Sequence, residues 1–325
     1  MESHSAPETA PPPAAGVRTE WWAVPDRVRG LVEEGLGARV ERAVTQSGGF
    51  SPGVAARVRL TDGRRVFLKA AGPQPNPDTP GLHRAEARIT SALPTAAPVP
   101  SLLMTWDVDG WAVLAFEDID GSTPAQPWLS DELRRVLAAT AELAALLDPA
   151  PVDVPSLADR CASQFRGWRH LAAAADAGPV PALDPWARRN LARLAERERG
   201  WERACAGTAL VHGDLRADNL LLTDDRVVVV DWPWAAVGAA WFDVVAMAPS
   251  VIMQSGPGAV ELIDAHLDGR GAPAQDVTTV LTAVAGYFAH QSLQAPPSGL
   301  PTLRAFQRAQ GEAALGWLRR RTGWS

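Results

Sequence analysis

HGDLRADN, residues 212–219, is followed by Asp231, the twelfth residue after Asn219, which ends an apolar run. The order is a carboxylate, Asp214, then an amide five residues on, Asn219, and then the second carboxylate. Phosphoryl transfer from a nucleotide uses these groups together. One carboxylate accepts the proton of the attacking hydroxyl, while an amide oxygen and another carboxylate hold Mg²⁺ against the phosphates. The spacing predicts Asp214 as the catalytic carboxylate and Asn219 and Asp231 as magnesium ligands.

The sequence around this motif predicts short strands that bring the three side chains together. A buried run, residues 208–211, leads into the motif, and two apolar runs, residues 220–222 and 227–230, flank a turn. Two such runs predict a β-hairpin. We expect Asn219 at the start of one strand and Asp231 at the end of the next, at one edge of the hairpin. The alternative is a surface loop in which Asp and Asn serve only as turn residues.

The chain contains a single lysine, Lys69, against thirty arginines. A position that keeps lysine in such a composition is a candidate for needing a compact ammonium group. Lys69 ends a strand-like run, and kinases carry their phosphate-contacting lysine on the third strand of the small lobe. Glu86 is the acid of the helix predicted at residues 82–89, and we expect it to pair with Lys69. The alternative is a solvated Glu86 beside a neighbouring arginine.

Two backbone segments are candidates for nucleotide binding. The first lies between the strand-like runs 39–45 and 54–60, and it contains Ser47, Gly48, Gly49, Phe50 and Ser51. Glycines let backbone N–H groups approach phosphate oxygens, although an ordinary hairpin loop is an equal alternative. The second begins at Phe116 and Glu117, where the chain leaves the predicted sheet. An extended backbone there can offer N–H and C=O groups to an adenine edge, and the alternative is a plain connector.

The pattern resembles the aminoglycoside phosphotransferase family, which comprises small-molecule kinases with a protein-kinase-like fold. It extends from about residue 40 to about residue 245, and the matching residues are Ser47–Ser51, Lys69, Glu86, His212–Asp214, Asn219, Asp231–Trp232 and Asp243. In the family an acidic residue often follows the Asp-Trp pair, whereas this chain has Pro233. That difference weakens the case for a polycationic aminoglycoside as the acceptor.

The resemblance implies roles for these residues. Asp214 would be the catalytic base or the carboxylate that orients the acceptor hydroxyl, and Asn219 and Asp231 would hold Mg²⁺. Lys69 would contact the phosphates of ATP, with GTP left open as the donor. Arg216 would face the transferred phosphate. Asp243 would steady the catalytic loop by hydrogen bonds, or else it caps the following helix.

The element pattern predicts an α+β, bilobal protein-kinase-like fold. We expect a disordered tail over residues 1–17, a nucleotide-binding lobe over 18–117 and a helical catalytic and acceptor-binding lobe over 118–325. The small lobe would hold five antiparallel strands and one main helix, the strands lying at about 39–46, 54–60, 65–70, 101–106 and 111–116. Helices of the large lobe are predicted at about 131–147, 156–175, 184–204, 241–248, 258–268, 276–293 and 301–321.

The sequence predicts a kinase whose acceptor is a small-molecule hydroxyl. Twelve residues separate Asp231 from Asp243, which is too short for the activation segment and peptide platform of a protein kinase. Besides a plain structural module, which only an absence of Mg·ATP binding would favour, two alternatives remain. One is a metabolic kinase acting on a sugar, an amino alcohol or a nucleoside-like acceptor. The other is a catalytically silent kinase fold that binds a nucleotide or a partner.

Composition excludes several other classes. The net charge of −6 gives no basic surface for nucleic acid, and no apolar run is long enough to cross a membrane. The two cysteines, Cys161 and Cys205, match no metal spacing and are typical of small buried residues in a reducing compartment. We therefore expect a cytoplasmic protein without nucleic-acid or membrane partners, either a monomer or a homodimer.

Overall fold

The computed structural model describes residues 18–46, 48, 52–74, 76–177, 183–297 and 300–325. The expected tail, residues 1–17, lies outside the described residues, as do Ser47, Gly49, Phe50 and Ser51 of the glycine-rich segment. The chain has the predicted α+β fold, with a five-stranded antiparallel sheet followed by a mainly helical part.

The first part of the chain is a sheet with one helix before its first strand and a second helix between its third and fourth strands. Its elements are α1 (Asp26–Leu36), β1 (Val40–Thr45), β2 (Val54–Leu60), β3 (Arg65–Ala71), α2 (Thr79–Ala92), β4 (Leu102–Val108) and β5 (Trp111–Glu117). The strands lie in the order β1-β2-β3-β5-β4, and every neighbouring pair is antiparallel. This order places β3 in the centre, so that Lys69 lies between Ala55 and Leu114 of the adjacent strands.

Alternating apolar residues explain why this sheet forms. Val58 and Leu60 of β2 and Leu68 of β3 are buried against Val28 and Val32 of α1 in one apolar cluster. A strand alternates its side chains between two faces, so the same pattern turns Lys69 away from that cluster. Strand β3 therefore has an apolar face on α1 and a lysine on the opposite face.

The second part is built from helices and two small antiparallel strand pairs. The helices are α3 (Ser130–Leu146), α4 (Leu157–Arg160), α5 (Gly167–Ala177), α6 (Pro185–Arg189), α7 (Leu191–Glu198), α8 (Trp201–Ala204), α9 (Phe242–Ser255), α10 (Ala259–Gly269), α11 (Ala274–Gln291) and α12 (Leu303–Thr322). The strands are β6 (Ala209–Val211), β7 (Leu220–Leu222), β8 (Val227–Val229) and β9 (Ala236–Gly238). Strand β7 pairs with β8, as predicted, and β6 pairs with β9. The predicted boundary between residues 117 and 118 falls at the end of β5.

Three helix predictions are wrong in their extent. The helix expected over 156–175 is interrupted by turns at 161–166, and the one expected over 184–204 is divided into α6, α7 and α8. Conversely, α9 continues past Pro249 to Ser255. Proline removes one helical hydrogen bond, but Val251 and Ile252 beyond it are buried in the core, and their burial stabilises the continued helix.

The core of the helical part contains much of the chain's tryptophan. Trp168, Trp201, Trp232 and Trp317 are all at most 1% exposed. The predicted burial of both cysteines is confirmed, and neither is in a disulfide. None of the described helices combines the length and the apolar character needed to span a membrane.

Candidate active site

The loop that follows β6 is held by a carboxylate from α9. Asp243 accepts hydrogen bonds from the backbone N–H groups of His212, at 2.7 Å, and Gly213, at 2.9 Å. The bracing role expected for Asp243 is therefore confirmed. The helix-cap alternative is wrong, because Trp241 occupies the cap position and Asp243 lies within the first turn of α9. Burial raises the pKa of Asp243, while His212 and the two N–H groups oppose the rise.

His212 connects this loop to the end of β8. Its Nδ1 accepts from the N–H of Asp214 at 3.3 Å, so the ring proton lies on Nε2, which donates to the carbonyl of Val230 at 2.9 Å. The ring also meets Trp232 edge to face, with centroids 4.9 Å apart. Trp232 is 1% exposed and its indole N–H donates to Val229, so this tryptophan packs the loop.

The two predicted magnesium ligands lie at the same end of the β7–β8 hairpin. Asn219 ends a 3-10 turn directly before β7, and the N–H of Val230 donates to its carbonyl at 3.0 Å. Its side-chain amide nitrogen donates to the carbonyl of Asp214 at 2.8 Å, which leaves the amide oxygen for a ligand. Asp231 follows β8 by two residues and has a left-handed backbone, with φ of 70°. The chain therefore turns away from the direction of β8 at Asp231.

Lys69 joins the sheet to the hairpin. Its ammonium lies 2.6 Å from Oε2 of Glu86, which confirms the predicted pair, and it also donates to Oδ1 of Asp231. The Lys69 side chain is 13% exposed and that of Glu86 is 3% exposed. Burial would lower the pKa of Lys69, but the two carboxylates outweigh it and raise the pKa. Burial also works against ionised Asp231, yet Lys69 holds the pKa of that carboxyl at about 2.

Asp214 and Arg216 face the same cleft from the catalytic loop. Arg216 donates to both carboxylate oxygens of Asp218, at 3.1 and 2.9 Å, and its guanidinium lies 3.9 Å from Oδ2 of Asp214. Burial raises the pKa of Asp214, and the nearby Arg216 opposes the rise. The Asp214 side chain remains 37% exposed, so it is accessible from the cleft.

The predicted nucleotide segments are described only in part. Gly48 is exposed, and its carbonyl accepts a hydrogen bond from the guanidinium of Arg18. Phe116 is buried in β5, where it lies opposite Phe67 and Leu102. The N–H of Glu117 donates to the carbonyl of Ser101 at 2.9 Å. The N–H of Glu117 is therefore already bonded within the sheet and is not free for an adenine edge.

The sequence did not predict three further polar groups in the cleft. Arg18 comes from the segment before α1, His83 from α2, and Asp218 from the catalytic loop itself. Asp218 lies within HGDLRADN and could have been proposed from the motif, whereas Arg18 and His83 carry no local signal. His83 is 5% exposed, and burial lowers its pKa to about 3, with Lys69 and Arg18 adding to the effect and Asp231 opposing it.

The donor atoms suit Mg²⁺ held jointly with a nucleotide. The amide oxygen of Asn219 and the ionised carboxylate of Asp231 are hard oxygen ligands of the kind that Mg²⁺ takes, usually one or two from the protein beside substrate phosphates. Over the part of the chain that the structure describes, no cluster of three or more His, Cys, Asp or Glu residues could hold a metal by itself. The site therefore fits a Mg²⁺ ion that takes two oxygens from the protein and its other ligands from the nucleotide phosphates and water.

Comparison with known proteins confirms the family resemblance. A sequence model of the phosphotransferase enzyme family (APH) matches residues 47–287. No curated protein matches the chain in sequence.

Solved structures share the fold at low identity. A thermostable mutant of the aminoglycoside phosphotransferase APH(4)-Ia, in a ternary complex with AMP-PNP and hygromycin B, is 16% identical with a TM-score of 0.60; the match covers 92% of this chain and 100% of that one. The choline kinase LicA from Streptococcus pneumoniae is 12% identical with a TM-score of 0.57, over 90% of this chain and 100% of its own. The GDP and kanamycin complex of APH(2")-IIia is 15% identical with a TM-score of 0.56, over 91% and 98%. At these identities the likeness shows the fold alone.

Proposed function

The chain belongs to the phosphotransferase enzyme family, and from that premise we propose that it is a small-molecule kinase, which transfers the γ-phosphate of ATP to a hydroxyl group. GTP stays open as a donor, since one of the similar structures is a GDP complex. The observation that carries the proposal is the link between Lys69 and Asp231. This link brings the lysine of the sheet to the predicted metal ligand of the helical part.

Each group has a role in this proposal. Asn219 and Asp231 would hold Mg²⁺, which offsets negative charge on the phosphates. Lys69, oriented by Glu86, would bind oxygens of the triphosphate. Asp214 would accept a hydrogen bond from the acceptor hydroxyl, align its oxygen with the γ-phosphorus and take its proton.

Arg216 would stabilise the transferred phosphate. Burial alone would lower the pKa of its guanidinium, but Asp214 and Asp218 raise it, so the group stays charged. A charged group that is already fixed by Asp218 needs little rearrangement when negative charge develops nearby. The hydrogen bonds to Asp218 would therefore hold the Arg216 guanidinium in position for the transferred phosphate.

The acceptor would be small. Strand β9 and the start of α9 occupy the interval between Asp231 and Asp243, and β9 pairs with β6. Of the similar proteins, one was crystallised with hygromycin B and another with kanamycin, while a third is a choline kinase. These names support a small polar acceptor for this chain without choosing among them.

A cavity beside the catalytic loop favours an uncharged acceptor, which corresponds to the metabolic alternative. It is lined by the 216–218 segment together with Gln126, Ser250, Gln254 and Phe306. Its charged members, Arg216 and Asp218, bind each other through two hydrogen bonds. A wall of amides, a hydroxyl and an aromatic ring fits a sugar-like or nucleoside-like molecule better than a polycation.

One experiment tests the proposal. The full chain is incubated with Mg²⁺, ATP and separate pools of neutral sugars and nucleosides, amino alcohols, and aminoglycosides, and products are identified by mass. We expect one pool to yield a species that gains one phosphate, and we expect Asp214→Asn to abolish its formation. If no pool is phosphorylated and ATP is not hydrolysed, the protein is the catalytically silent alternative.

A further inference from the structure

Arg18 is fixed beside the glycine-rich segment by its backbone. Residue 18 forms a parallel β-bridge with Gly53, and the N–H of Thr19 donates to the carbonyl of Gly53 at 3.0 Å. The segment before α1 therefore runs alongside the strand that leaves the glycine-rich segment. This attachment places Arg18 beside Gly53, although α1 and β1 separate the two residues in sequence.

The guanidinium of Arg18 reaches across to the predicted phosphate site. It donates to the carbonyl of Gly48, and a Cβ on Gly48 would come within 3.9 Å of the Cβ of Asp218 in the catalytic loop. Burial lowers the pKa of Arg18, and the charges of Asp231 and Asp218 oppose that lowering. Arg18 thus lies between the glycine-rich segment and the hairpin that carries the predicted metal ligands.

A second polar group faces the same space. His83 lies one helical turn before Glu86 on α2, and its Nδ1 contacts the carbonyl of Thr79 at 3.2 Å. Its Nε2 has no hydrogen-bond partner among the described residues, although the side chain is buried. Buried polar atoms of this kind usually have a partner. Because Nδ1 needs its proton to bond the carbonyl of Thr79, Nε2 of the neutral ring is an acceptor, so its partner would be a donor group and not a phosphate oxygen.

The charge balance of the cleft calls for another cation. Glu86 and Asp231 share the single lysine, and Asp218 holds Arg216 through two hydrogen bonds. A triphosphate adds several negative charges to this set. A guanidinium carries a permanent positive charge and presents its donors in a fixed fork, which suits phosphate oxygens.

We propose that Arg18 is a second phosphate-binding cation of the nucleotide site, which binds the β- or γ-phosphate across the cleft from Lys69. This inference rests on the proposed function, since it requires that a nucleoside triphosphate binds. It goes beyond the sequence motifs, because Arg18 is not among the residues that they assign to nucleotide binding. If Arg18 contacts the β- or γ-phosphate, replacing Arg18 should weaken the binding of ATP more than the binding of AMP.

The test compares three nucleotides on the full chain. Dissociation constants for ATP, ADP and AMP are measured by calorimetry with Mg²⁺ for the unaltered protein and for Arg18→Gln and Arg18→Lys. We expect Arg18→Gln to weaken ATP binding about tenfold, as for one charge-assisted hydrogen bond, and to leave AMP binding within about twofold. Arg18→Lys is expected to recover part of the loss for ATP. The matched control is Arg27→Gln on α1, whose side chain is 74% exposed, and it should change none of the three constants.

The outcomes separate the two proposals. If Arg18→Gln weakens all three nucleotides equally, Arg18 only positions the glycine-rich segment, and the inference is overturned. It is likewise overturned if Arg18→Gln changes nothing while the unaltered protein binds ATP, and in both cases the proposed function stands. If the unaltered protein binds no nucleotide, the proposed function fails and this inference fails with it.

Discussion

The ammonium of Lys69 donates to the carboxylate of Asp231 although 162 residues separate them in the chain. One residue belongs to the central strand of the sheet and the other to the hairpin of the helical part. Because of this contact, each residue shifts the pKa of the other. It therefore provides a direct test of the candidate site by substitution.

Replacing the lysine should destabilise the fold. Lys69→Met leaves the buried Glu86 and the partly buried Asp231 without their counter-charge, and removing one partner of a buried ion pair typically costs about 3–5 kcal/mol. We expect the free energy of unfolding, measured in urea, to fall by about 3 kcal/mol. Because Asp231 is 28% exposed, the loss should lie at the lower end of that range.

The matched comparison is the double variant Lys69→Met with Glu86→Gln. It removes one of the two stranded charges and should recover part of the lost stability. Equal stability of Lys69→Met and the unaltered protein would show that the buried pair contributes nothing.

Gly213 should tolerate no side chain. Its φ is +81°, and a Cβ would lie 2.5 Å from the carbonyl oxygen of Trp234. Gly271 is a suitable control, since its φ is +69° but a Cβ there would meet nothing within 4 Å. We expect Gly271→Ala to lose about 1 kcal/mol of unfolding free energy from backbone strain alone. Gly213→Ala should lose at least twice that, because strain and steric overlap add. Similar losses for the two variants would contradict the tight packing of this turn.

Replacing the carboxylate of Asp243 should lower the free energy of unfolding. Asparagine presents one acceptor oxygen, whereas the carboxylate serves the N–H groups of both His212 and Gly213. We expect Asp243→Asn to lower the unfolding free energy by about 2 kcal/mol, in the range for hydrogen bonds to charged groups. Hydrogen exchange of the two amides should become faster. Asp276→Asn in the first turn of α11 is the control, and comparable changes in both variants would argue against a specific brace.

His83 should make the protein less stable in mild acid. Its pKa is about 3 in the folded protein, against an ordinary value of 6.5. The unfolded chain therefore binds a proton that the folded chain does not, and stability falls as the pH drops from 6.5 towards 3. Lys69, Arg18 and Asp231 face the ring, and Lys69 and Arg18 oppose its protonation.

The variant that checks this is His83→Gln, with unfolding free energies measured at pH 7 and pH 5. We expect the unaltered protein to lose about 2 kcal/mol more than the variant between these values, at about 1.4 kcal/mol per pH unit. His290→Gln, at a half-buried histidine of α11, should alter the pH dependence less. An identical pH dependence for His83→Gln and the unaltered protein would mean that this histidine is protonated without penalty.

The sequence predicted the parts of the fold that local patterns encode. The β2–β3 hairpin follows from alternating apolar residues around Asp62-Gly63, and the β7–β8 hairpin follows from two apolar runs around a polar turn. The Lys69–Glu86 pair was predicted because both residues lie on consecutive elements of a known order. The helix boundaries at 161–166 and within 184–204 depend on packing against distant helices. Gly167, for example, lies so close to Gly286 that a Cβ would be 1.9 Å from its carbonyl oxygen.

The remaining parts of the candidate site depend on contacts without a sequence signal. Arg18 is 30 residues from the Gly48 carbonyl to which it donates, and nothing in its local sequence distinguishes it from the other arginines. The sequence around His83 is typical of an amphipathic helix, and only the fold shows that this side chain is buried. The expected roles of the site residues stay predictions, and so does the choice of acceptor.

The binding of a nonhydrolysable ATP analogue with and without Mg²⁺ tests the central claim most directly. Calorimetry is performed on the unaltered protein and on Asp231→Asn, with Asp225→Asn in the turn of the same hairpin as the control. We predict tight binding that requires Mg²⁺ in the unaltered protein and in the control, and a loss of at least tenfold in Asp231→Asn. Binding of equal strength without Mg²⁺, or by Asp231→Asn, would contradict the assignment of Lys69, Asn219 and Asp231 to one magnesium–triphosphate site.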